Sequence, residues 1–469
     1  KATLSNNTIK ASGISAGGTV KIDNMVAGMP GGSVIGEVNL NIGALVEGNV
    51  LSADVSKADA DVNIAMSNNV LASVGIKAGT LELGRFGSDA MIAAQTSDNS
   101  MTTSFGSAPK KKSFSFTGNR ISATGFEVTD LKAEDFYGTL QANLTGNQLQ
   151  LAGWTDSIDA DVEFRAYGIN ASGKIEASNN FAGTITVNSL DNIGHTNQFK
   201  VHNSKIITYG IKANSFTVNG IIDTDISVYA HTNETWDVQS TFGISVDTLK
   251  ADAFSGTLTV LGSRGTFGIY ASNASGGISS NVAGDAFDIN GDIISTLYGV
   301  FSYGKINLRI SGSITAGVAI GVESTYNERT GIYATSTPNN PDQVELAAGA
   351  VINGDIDLGG GDNTVIINSG AVMNGSLVAE LGSMNIMFML DEKISPEAIV
   401  RTDVEDISLT SASTITVNLN NAVNNSSYVL FQYAEGSDST VTSCWMSREV
   451  RFVYQGEEYE VRMTGGRAE

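Results

Sequence analysis

The sequence predicts an all-β fold, and more narrowly a right-handed parallel β-helix, a solenoid, with a C-terminal antiparallel β cap. Three observations lead to this prediction. An octapeptide returns after 21 residues, short period-2 strands open on glycines, and an aromatic–glycine–apolar phrase recurs through the middle of the chain. Repeats of about 20 residues with short apolar alternations are typical of solenoids, in which each repeat buries its face against the next.

The internal repeat is clearest near the C-terminal third. Gly349–Ile356 (GAVINGDI) returns as Gly370–Leu377 (GAVMNGSL), a shift of 21 residues. Between the copies, Gly359–Gly361 form a glycine turn that leads into the β-branched run Thr364–Ile367. A unit of this length is too short to include a helix, so we interpret it as one coil of a parallel β-helix.

Composition limits the class of protein. With 52 glycines, 5 prolines, 41% apolar and 16% charged residues, the chain is ordered and rich in turns. Its net charge of −22 disfavours nucleic acid and anionic membranes as partners. A single cysteine, Cys444, excludes an internal disulfide. The sequence contains no run of 18 apolar residues, so it predicts no transmembrane helix.

The first 94 residues predict short half-buried strands. Gly18–Ile22, Gly36–Ile42 and Gly79–Leu83 each begin with glycine and continue with apolar residues at every second position. That alternation places one face of each strand in a core and the other in solvent.

An aromatic residue or threonine, then glycine, then an apolar residue recurs between residues 114 and 333. The glycines of this phrase are Gly125, Gly168, Gly210, Gly243, Gly268, Gly299 and Gly331. We expect the neighbouring rings to stack coil upon coil, and the glycines to supply a positive φ at a corner. A companion phrase, Phe136–Leu140, Phe181–Val187 and Phe254–Val260, predicts a second stack. The Asn-Gly pairs at 219, 290, 353 and 374 predict turns joined by asparagine ladders.

Two polar stretches interrupt this rhythm and are the candidate binding loops. Residues 95–112 contain Pro109 and end in the basic run Lys110, Lys111 and Lys112. Residues 326–342 contain two prolines, which predicts a protruding loop over Thr337–Asp342. The candidate contact residues are Lys110, Lys111, Lys112, Tyr326, Asn339 and Asn340.

After Asp391 the pattern changes to longer strands. We predict strands at Ser413–Leu419, Ser427–Gln432, Glu449–Tyr454 and Glu458–Met463, with Gln455–Glu457 as a hairpin connection. The sequence therefore predicts two domains, a solenoid over residues 1–390 and a β cap over residues 391–469. A solenoid needs such a cap because its open end exposes unpaired backbone groups.

The search for catalytic groups gives no assignment. Asp223 and Asp225 share a strand face, which is a spacing compatible with a pair of glycosidase carboxylates. Acidic residues on solvated strand faces are common in so acidic a chain, and no nucleophile elbow or metal-ligand spacing accompanies the three histidines. The run Gly359–Ile366 departs from the calcium-binding nonapeptide by one spacer residue. We assign no catalytic residue, metal ligand or cofactor.

The 21-residue coils, the Gly-Gly-Gly-Asp-Asn-Thr-Val run and the distinct C-terminal region resemble an autotransporter passenger, from a family of Gram-negative secreted β-helical proteins. The resemblance implies an extracellular or outer-membrane-attached location on a bacterial cell. It also implies an outer-membrane translocator barrel beyond residue 469, and residues 391–469 as a cap that helps the passenger to fold.

We therefore expect a non-enzymatic, adhesin-like protein that presents binding loops to a host surface, extracellular matrix protein or glycan, with self-association as a further interaction. The first alternative is a polysaccharide lyase or glycoside hydrolase on the same scaffold. The second is a structural component of a surface layer.

Overall fold

The structure is a computed structural model. It describes residues 2–5, 7–22, 41–54, 62–104, 112–152, 158–190, 192, 201–202, 205–231, 238–262, 265–273, 277–322, 325–327, 332–334, 341–378, 382–392, 399–402, 412–423, 428–433, 449–459, 463–464 and 467–468. All regular elements in these ranges are β-strands, and no helix occurs among them. In the same ranges, no helix is long and apolar enough to cross a membrane. The all-β prediction is confirmed.

The strands up to residue 190 are β1 (Ala2–Ser5), β2 (Thr8–Ser15), β3 (Val20–Ile22), β4 (Asn41–Glu47), β5 (Val50–Asp54), β6 (Val62–Ser67), β7 (Val70–Phe86), β8 (Met91–Ser97), β9 (Ser100–Ser104), β10 (Lys112–Phe136), β11 (Thr139–Thr145), β12 (Gln148–Ala152), β13 (Ile158–Ala171), β14 (Lys174–Ala177) and β15 (Phe181–Leu190).

The strands from residue 201 to residue 322 are β16 (Val201–His202), β17 (Lys205–Lys212), β18 (Ser215–Val218), β19 (Ile221–His231), β20 (Val238–Val246), β21 (Thr248–Lys250), β22 (Ala253–Phe254), β23 (Thr257–Gly262), β24 (Thr266–Ala271), β25 (Ile278–Ser279), β26 (Phe287–Ile289), β27 (Asp292–Ser295), β28 (Tyr298–Ser302), β29 (Asn307–Ile310) and β30 (Ser313–Val322).

The remaining strands are β31 (Thr325–Asn327), β32 (Ile332–Ala334), β33 (Gln343–Leu346), β34 (Val351–Asp357), β35 (Asp362–Asn368), β36 (Val372–Asn374), β37 (Leu377–Val378), β38 (Ser383–Met389), β39 (Val400–Thr402), β40 (Thr414–Asn418), β41 (Phe431–Tyr433), β42 (Glu449–Tyr454), β43 (Glu457–Tyr459), β44 (Met463–Thr464) and β45 (Arg467–Ala468).

One large, mostly parallel sheet contains 38 of these strands. The chain forms two compact units. Unit 1 comprises residues 1–218, 223–246 and 259–266, and unit 2 comprises residues 219–222, 247–258 and 267–469. The predicted division at residue 390 stays a prediction.

The core of unit 1 consists of apolar columns that run from strand to strand. Ile121 of β10 lies opposite Leu71 of β7 and opposite Phe164 of β13. Phe164 in turn lies opposite Ile206 of β17. These four side chains are fully buried. Because side chains alternate between the faces of a strand, an in-register parallel pairing repeats the same buried positions in every strand.

Two of the three strands predicted in the first 94 residues are observed. Residues 20–22 form β3, and residues 79–83 lie within β7. The third, Gly36–Ile42, lies mostly outside the described residues, although β4 begins at Asn41.

The predicted ring stacks are confirmed. In unit 1 the rings of Tyr167 and Tyr209 stack with centroids 5.3 Å apart, and those of Tyr209 and Phe242 stack at 4.8 Å. The companion phrase stacks Phe136 on Phe181 at 4.3 Å. In unit 2, Phe267 and Tyr298 stack at 5.0 Å. Along their strands Tyr167 and Tyr209 alternate with the buried Ala166 and Thr208; Tyr167 is itself buried, with 5% of its surface exposed, whereas Tyr209 is half-buried.

The glycines beside these rings have a different role from the one predicted. Gly125, Gly168 and Gly210 are not among the residues with positive φ, so the predicted positive φ is wrong. A Cβ on Gly168 would lie 2.4 Å from Cγ2 of Ile185 and 2.6 Å from the carbonyl oxygen of Gly210. A Cβ on Gly75, Gly125 or Gly210 would meet the carbonyl oxygen of the equivalent glycine in the neighbouring strand in the same way. We call this row of glycines the glycine column; it needs glycine because the backbones approach each other closely.

Two asparagine ladders in unit 1 were missed by the sequence prediction. The first contains Asn7, Asn69 and Asn119, and the second contains Asn49, Asn99, Asn147 and Asn192. At each step the backbone N–H and the Nδ2–H of one asparagine both donate to Oδ1 of the next, at 2.8–3.2 Å. Five of the seven side chains are buried to within 2%.

The ladders lie at bends between consecutive strands. Asn49, Asn99 and Asn147 precede β5, β9 and β12, which form a separate three-stranded parallel sheet. Asn69 and Asn119 follow β6 and the first part of β10, which pair with each other. The buried asparagine side chains therefore accept hydrogen bonds from backbone N–H groups at these bends, which would otherwise be buried without a partner.

A short sequence signal marks these ladders. The residue before five of the asparagines has a left-handed φ of 54–66°, and it is glycine, asparagine or aspartate, the types that tolerate this conformation. The resulting dipeptides are Gly48-Asn49, Asn68-Asn69, Asp98-Asn99, Gly118-Asn119 and Gly146-Asn147.

In unit 2 the octapeptide repeat is confirmed as neighbouring strands. Ile352 pairs with Met373 and Asn353 with Asn374, in parallel register. The predicted ladder is present there, because Asn374 Nδ2–H donates to Asn353 Oδ1 at 2.7 Å over the 21-residue step. The predicted glycine turn has positive φ at Gly359 and Gly361.

The prediction of an antiparallel cap from residue 391 is wrong for most of its strands. β40 pairs in parallel with β38, β42 in parallel with β40, and β41 in parallel with β39. The predicted hairpin is confirmed: β42 and β43 pair antiparallel across Gln455 and Gly456, both with positive φ. The polar side chains of the region carry no signal for strand direction, which depends on the neighbouring strand's edge.

The glycine column predicts a sharp difference between two substitutions. Gly168→Ala should lower the free energy of unfolding by about 1–3 kcal/mol, because the new methyl group overlaps backbone and Ile185. Gly43→Ala, where no atom lies within 4 Å of the new Cβ, should leave stability unchanged or slightly raised. Urea titration of both variants measures the difference, and equal midpoints would contradict the role of the column.

The buried ladder predicts a cost for Asn147→Ala. The substitution removes the Oδ1 atom that accepts the buried backbone N–H of Asn99 at 3.2 Å and its Nδ2–H at 3.0 Å, and it should destabilise the protein by about 1–3 kcal/mol. Asn188→Ala is the matched control, since it removes one partly buried side-chain hydrogen bond to Asn143. Thermal unfolding followed by circular dichroism should show the larger loss for Asn147→Ala.

The tyrosine stack predicts a loss of stability at alkaline pH. Burial, with a further contribution from Tyr167, raises the pKa of Tyr209 from 10.0 to about 12. A raised pKa in the folded state contributes stability below pH 10 that is lost as the pH rises toward 12. Tyr209→Phe keeps the ring and should lose less stability over this interval than wild type in urea titrations, whereas the exposed-site control Tyr454→Phe should behave like wild type.

A polar cleft at the strand ends of unit 2

Unit 2 contains a cleft of about 340 Å³ on the outer side of its strands. Its lining residues are Arg309, Glu345, Ala347, Ala348, Asn368, Ser369, Met389, Leu390, Asp391, Asn418, Asn420 and Asn421. The volume lies at the lower end of the range for ligand pockets, about 300–1,000 Å³.

The parallel register brings these residues together. Arg309 of β29 lies opposite Glu345 of β33, and Asn368, Met389 and Asn418 end β35, β38 and β40 in one row. All of these strands run in the same direction, so their carboxyl ends and the polar residues after them lie side by side. The cleft therefore crosses the strands instead of following one of them.

Its first wall consists of polar side chains that are held in place. Asn368 Nδ2–H donates to Glu345 Oε1 at 3.0 Å and to the carbonyl oxygen of Leu346 at 2.9 Å. Arg309 forms an ion pair with Asp288 at 2.9 Å. These contacts leave Glu345 Oε2 and Asn368 Oδ1 without a hydrogen-bond partner among the described residues.

The second wall is the asparagine-rich turn after β40. Asn418 Oδ1 accepts the backbone N–H of Asn420 at 3.0 Å, and Asn420 Oδ1 accepts the backbone N–H of Gln455 at 2.5 Å. In each case the amide Nδ2 group has no hydrogen bond to a described residue. The cleft thus presents fixed amide donors facing carboxylate and amide acceptors.

This arrangement suits a ligand rich in hydroxyl groups. A hydroxyl both donates and accepts, and an asparagine amide offers one acceptor oxygen and two donors. Preorganised side chains also lose less conformational entropy when a ligand binds.

Two of the six candidate contact residues, Lys112 and Tyr326, are described, and neither is among the lining residues of this cleft. Lys110, Lys111, Asn339 and Asn340 lie outside the described residues. Lys112 begins β10 in unit 1, opposite Val62, and Tyr326 pairs with Tyr333 in the hairpin of β31 and β32. The predicted loop at 95–112 is wrong in part, since residues 95–97 and 100–104 belong to strands β8 and β9.

The carboxylates singled out in the sequence are on the surface. Asp223 and Asp225 lie on the same exposed face of β19, with the buried Thr224 between them, as the alternation predicts. Across the part of the chain that the structure describes, no group of three or more His, Cys, Asp or Glu side chains could hold a metal ion.

The sequence search missed the cleft because its residues come from five separate strands. The one usable signal is Asn418–Asn421, a polar cluster directly after an alternating strand. Its partners could be found only with the register, which places Asn368 and Asn418 in one row.

Comparisons with known proteins add no relative. No protein-family model, no curated protein and no solved structure matches this chain.

Proposed function

We propose that the protein is a non-enzymatic, adhesin-like binding protein on a right-handed parallel β-helix, displayed at a bacterial surface. The β-helix is supported by the way strands pair. In unit 1, β7, β10, β13 and β17 pair in parallel one after another, and β8, β11 and β15 form a second such series. Two series that recur in the same chain order are what successive coils would produce, and parallel crossovers are almost always right-handed.

The observation that carries the binding function is the cleft of unit 2. Its walls hold Glu345, Asn368, Asn418 and Asn420 through contacts that leave ligand-facing atoms available. A neutral glycan matches this mixture of donors and acceptors, so glycan contact is the favoured form of adhesion. The paired strands β33, β35, β38 and β40 supply the rigid support that such a site needs.

Display at a surface is supported by composition and by the ladders. A net charge of −22 keeps a long protein soluble and separate from other copies. Stacked rings and buried amides stabilise the chain without disulfides, as a secreted protein with one cysteine requires. An outer-membrane translocator would be the export partner under this proposal.

A glycan array run beside a polysaccharide depolymerisation screen tests the proposal. We expect wild-type protein to retain at least one neutral glycan and to cleave none. Glu345→Gln combined with Asn418→Ala should weaken that binding by about tenfold or more, since each removes a hydrogen bond at a fixed site.

Asn353→Ala, an amide of unit 2 outside the cleft, is the control and should bind like wild type. Cleavage of a glycan would favour the alternative of a polysaccharide lyase or hydrolase. Absence of neutral-glycan retention would overturn the glycan-binding role, and ordered filaments of the purified protein would favour a structural surface-layer role.

A further inference from the structure

A second surface, on unit 1, carries an unbalanced positive charge. Arg120 of β10, Arg165 of β13 and Lys205 of β17 lie on the outward face of adjacent strands, and the exposed Lys212 lies at the other end of β17; we name these four residues the basic patch. The register places Arg120 opposite Glu163, and Glu163 opposite Lys205. With strands about 4.8 Å apart, the Cα atoms of Arg120 and Lys205 are about 10 Å apart.

Among the described side chains, the carboxylates nearest the patch already form ion pairs. Glu163 forms its ion pair with Arg165, and Glu127, in the same row as Lys212, forms one with Lys77. Arg120, Lys205 and Lys212 make no ion pair with a described side chain.

Two other cations of unit 1 are ion-paired: Lys132 pairs with Glu82 at 3.6 Å, and Lys174 pairs with Glu176 at 2.6 Å.

The two arginines also hold unused donors. The Nε–H groups of Arg120 and Arg165 are buried and have no hydrogen-bond partner among the described residues. A buried donor without an acceptor costs about 1–3 kcal/mol, and more when it is charged. A carboxylate or sulfate oxygen is the acceptor that a guanidinium group binds best.

The stacked tyrosines form the next row of the same face. Lys212 Nζ lies 5.3 Å from the ring centroid of Tyr209, a cation–π distance. Burial, followed by the charge of Arg165, lowers the pKa of Lys212. Tyr209 is half-buried, and its hydroxyl is protonated near neutral pH, as in any tyrosine, so it can donate to a ligand; burial raises its pKa further, to about 12.

We infer that the basic patch binds the carboxylate or sulfate group of an acidic saccharide. The charges supply the anion contact, and the half-buried Tyr209 supplies a hydroxyl donor for a ring or hydroxyl oxygen of the sugar. A long polyanion such as nucleic acid would extend beyond the patch onto the negatively charged surface, whereas a short acidic oligosaccharide need not. This site belongs to unit 1 and is independent of the neutral-glycan cleft.

Isothermal titration calorimetry of the whole chain tests the inference with four probes. These are a polygalacturonate-derived hexasaccharide, a sulfated galactan-derived hexasaccharide, a neutral hexasaccharide and hexaglutamate. We expect binding of one or both acidic saccharides that weakens as sodium chloride is raised from 20 to 300 mM, and no binding of the neutral probe by this site. The two acidic arms distinguish carboxylate from sulfate.

Arg120→Gln combined with Lys212→Gln should lower the affinity for the acidic saccharide by about tenfold or more. The two side chains make no ion pair with a described residue, so the variant should keep wild-type circular dichroism and melting. Lys174→Gln removes one positive charge at an ion-paired position and should leave the affinity unchanged within about twofold.

Several results would overturn the inference. They are no binding of either acidic saccharide, binding that salt does not weaken, or equal loss in Lys174→Gln. If hexaglutamate binds as tightly as the acidic saccharides, the saccharide assignment is wrong and the ligand of the patch is an acidic peptide. The salt dependence of wild-type binding needs no variant, so a variant that misfolds does not remove the test.

Discussion

The structure depends on parallel, in-register pairing of strands that repeat along one chain. Each residue then lies about 4.8 Å from the residue at the same position in the next strand. A column is stable only if its members tolerate one another: rings stack on rings, asparagines donate to asparagines, and glycines lie against glycine carbonyls. The choice of residue at one position therefore constrains positions 21 to 62 residues away.

Burial at the bends is the second consequence of this pairing. A strand that turns away from the stack leaves backbone donors in the interior, where an unpaired donor is costly. Asn99 and Asn147 solve this with both the backbone N–H and the Nδ2–H directed at the next asparagine. The strands β5, β9 and β12 can then leave the large sheet at equivalent positions and form their own sheet, while the buried backbone donors keep their partners.

The two candidate sites lie where several strands end together and where positive charges on neighbouring strands outnumber their described carboxylate partners. In unit 2, strands that end together bring Glu345, Asn368 and Asn418 into one cleft, although they lie far apart in the chain. In unit 1, opposite charges such as Glu82 and Lys132 pair across strands, but Arg120 and Lys205 both face the single, already paired Glu163. Where equivalent positions of neighbouring strands pair with one another, their polar groups are already bonded. The polar and charged groups without such a partner are the ones that we propose for ligand contact.

The sequence by itself determined the strand class, the 21-residue repeat, the glycine turn at Gly359–Gly361 and the ring stacks, because each depends on residue type and spacing along the chain. It did not reveal that Gly168 serves close packing, since this requires the neighbour Ile185. It also did not give the parallel direction of β40 and β42 or the cleft, because direction and register are properties of pairs of strands. The tertiary structure decided which distant residues share a column, and with that which polar groups remain for binding.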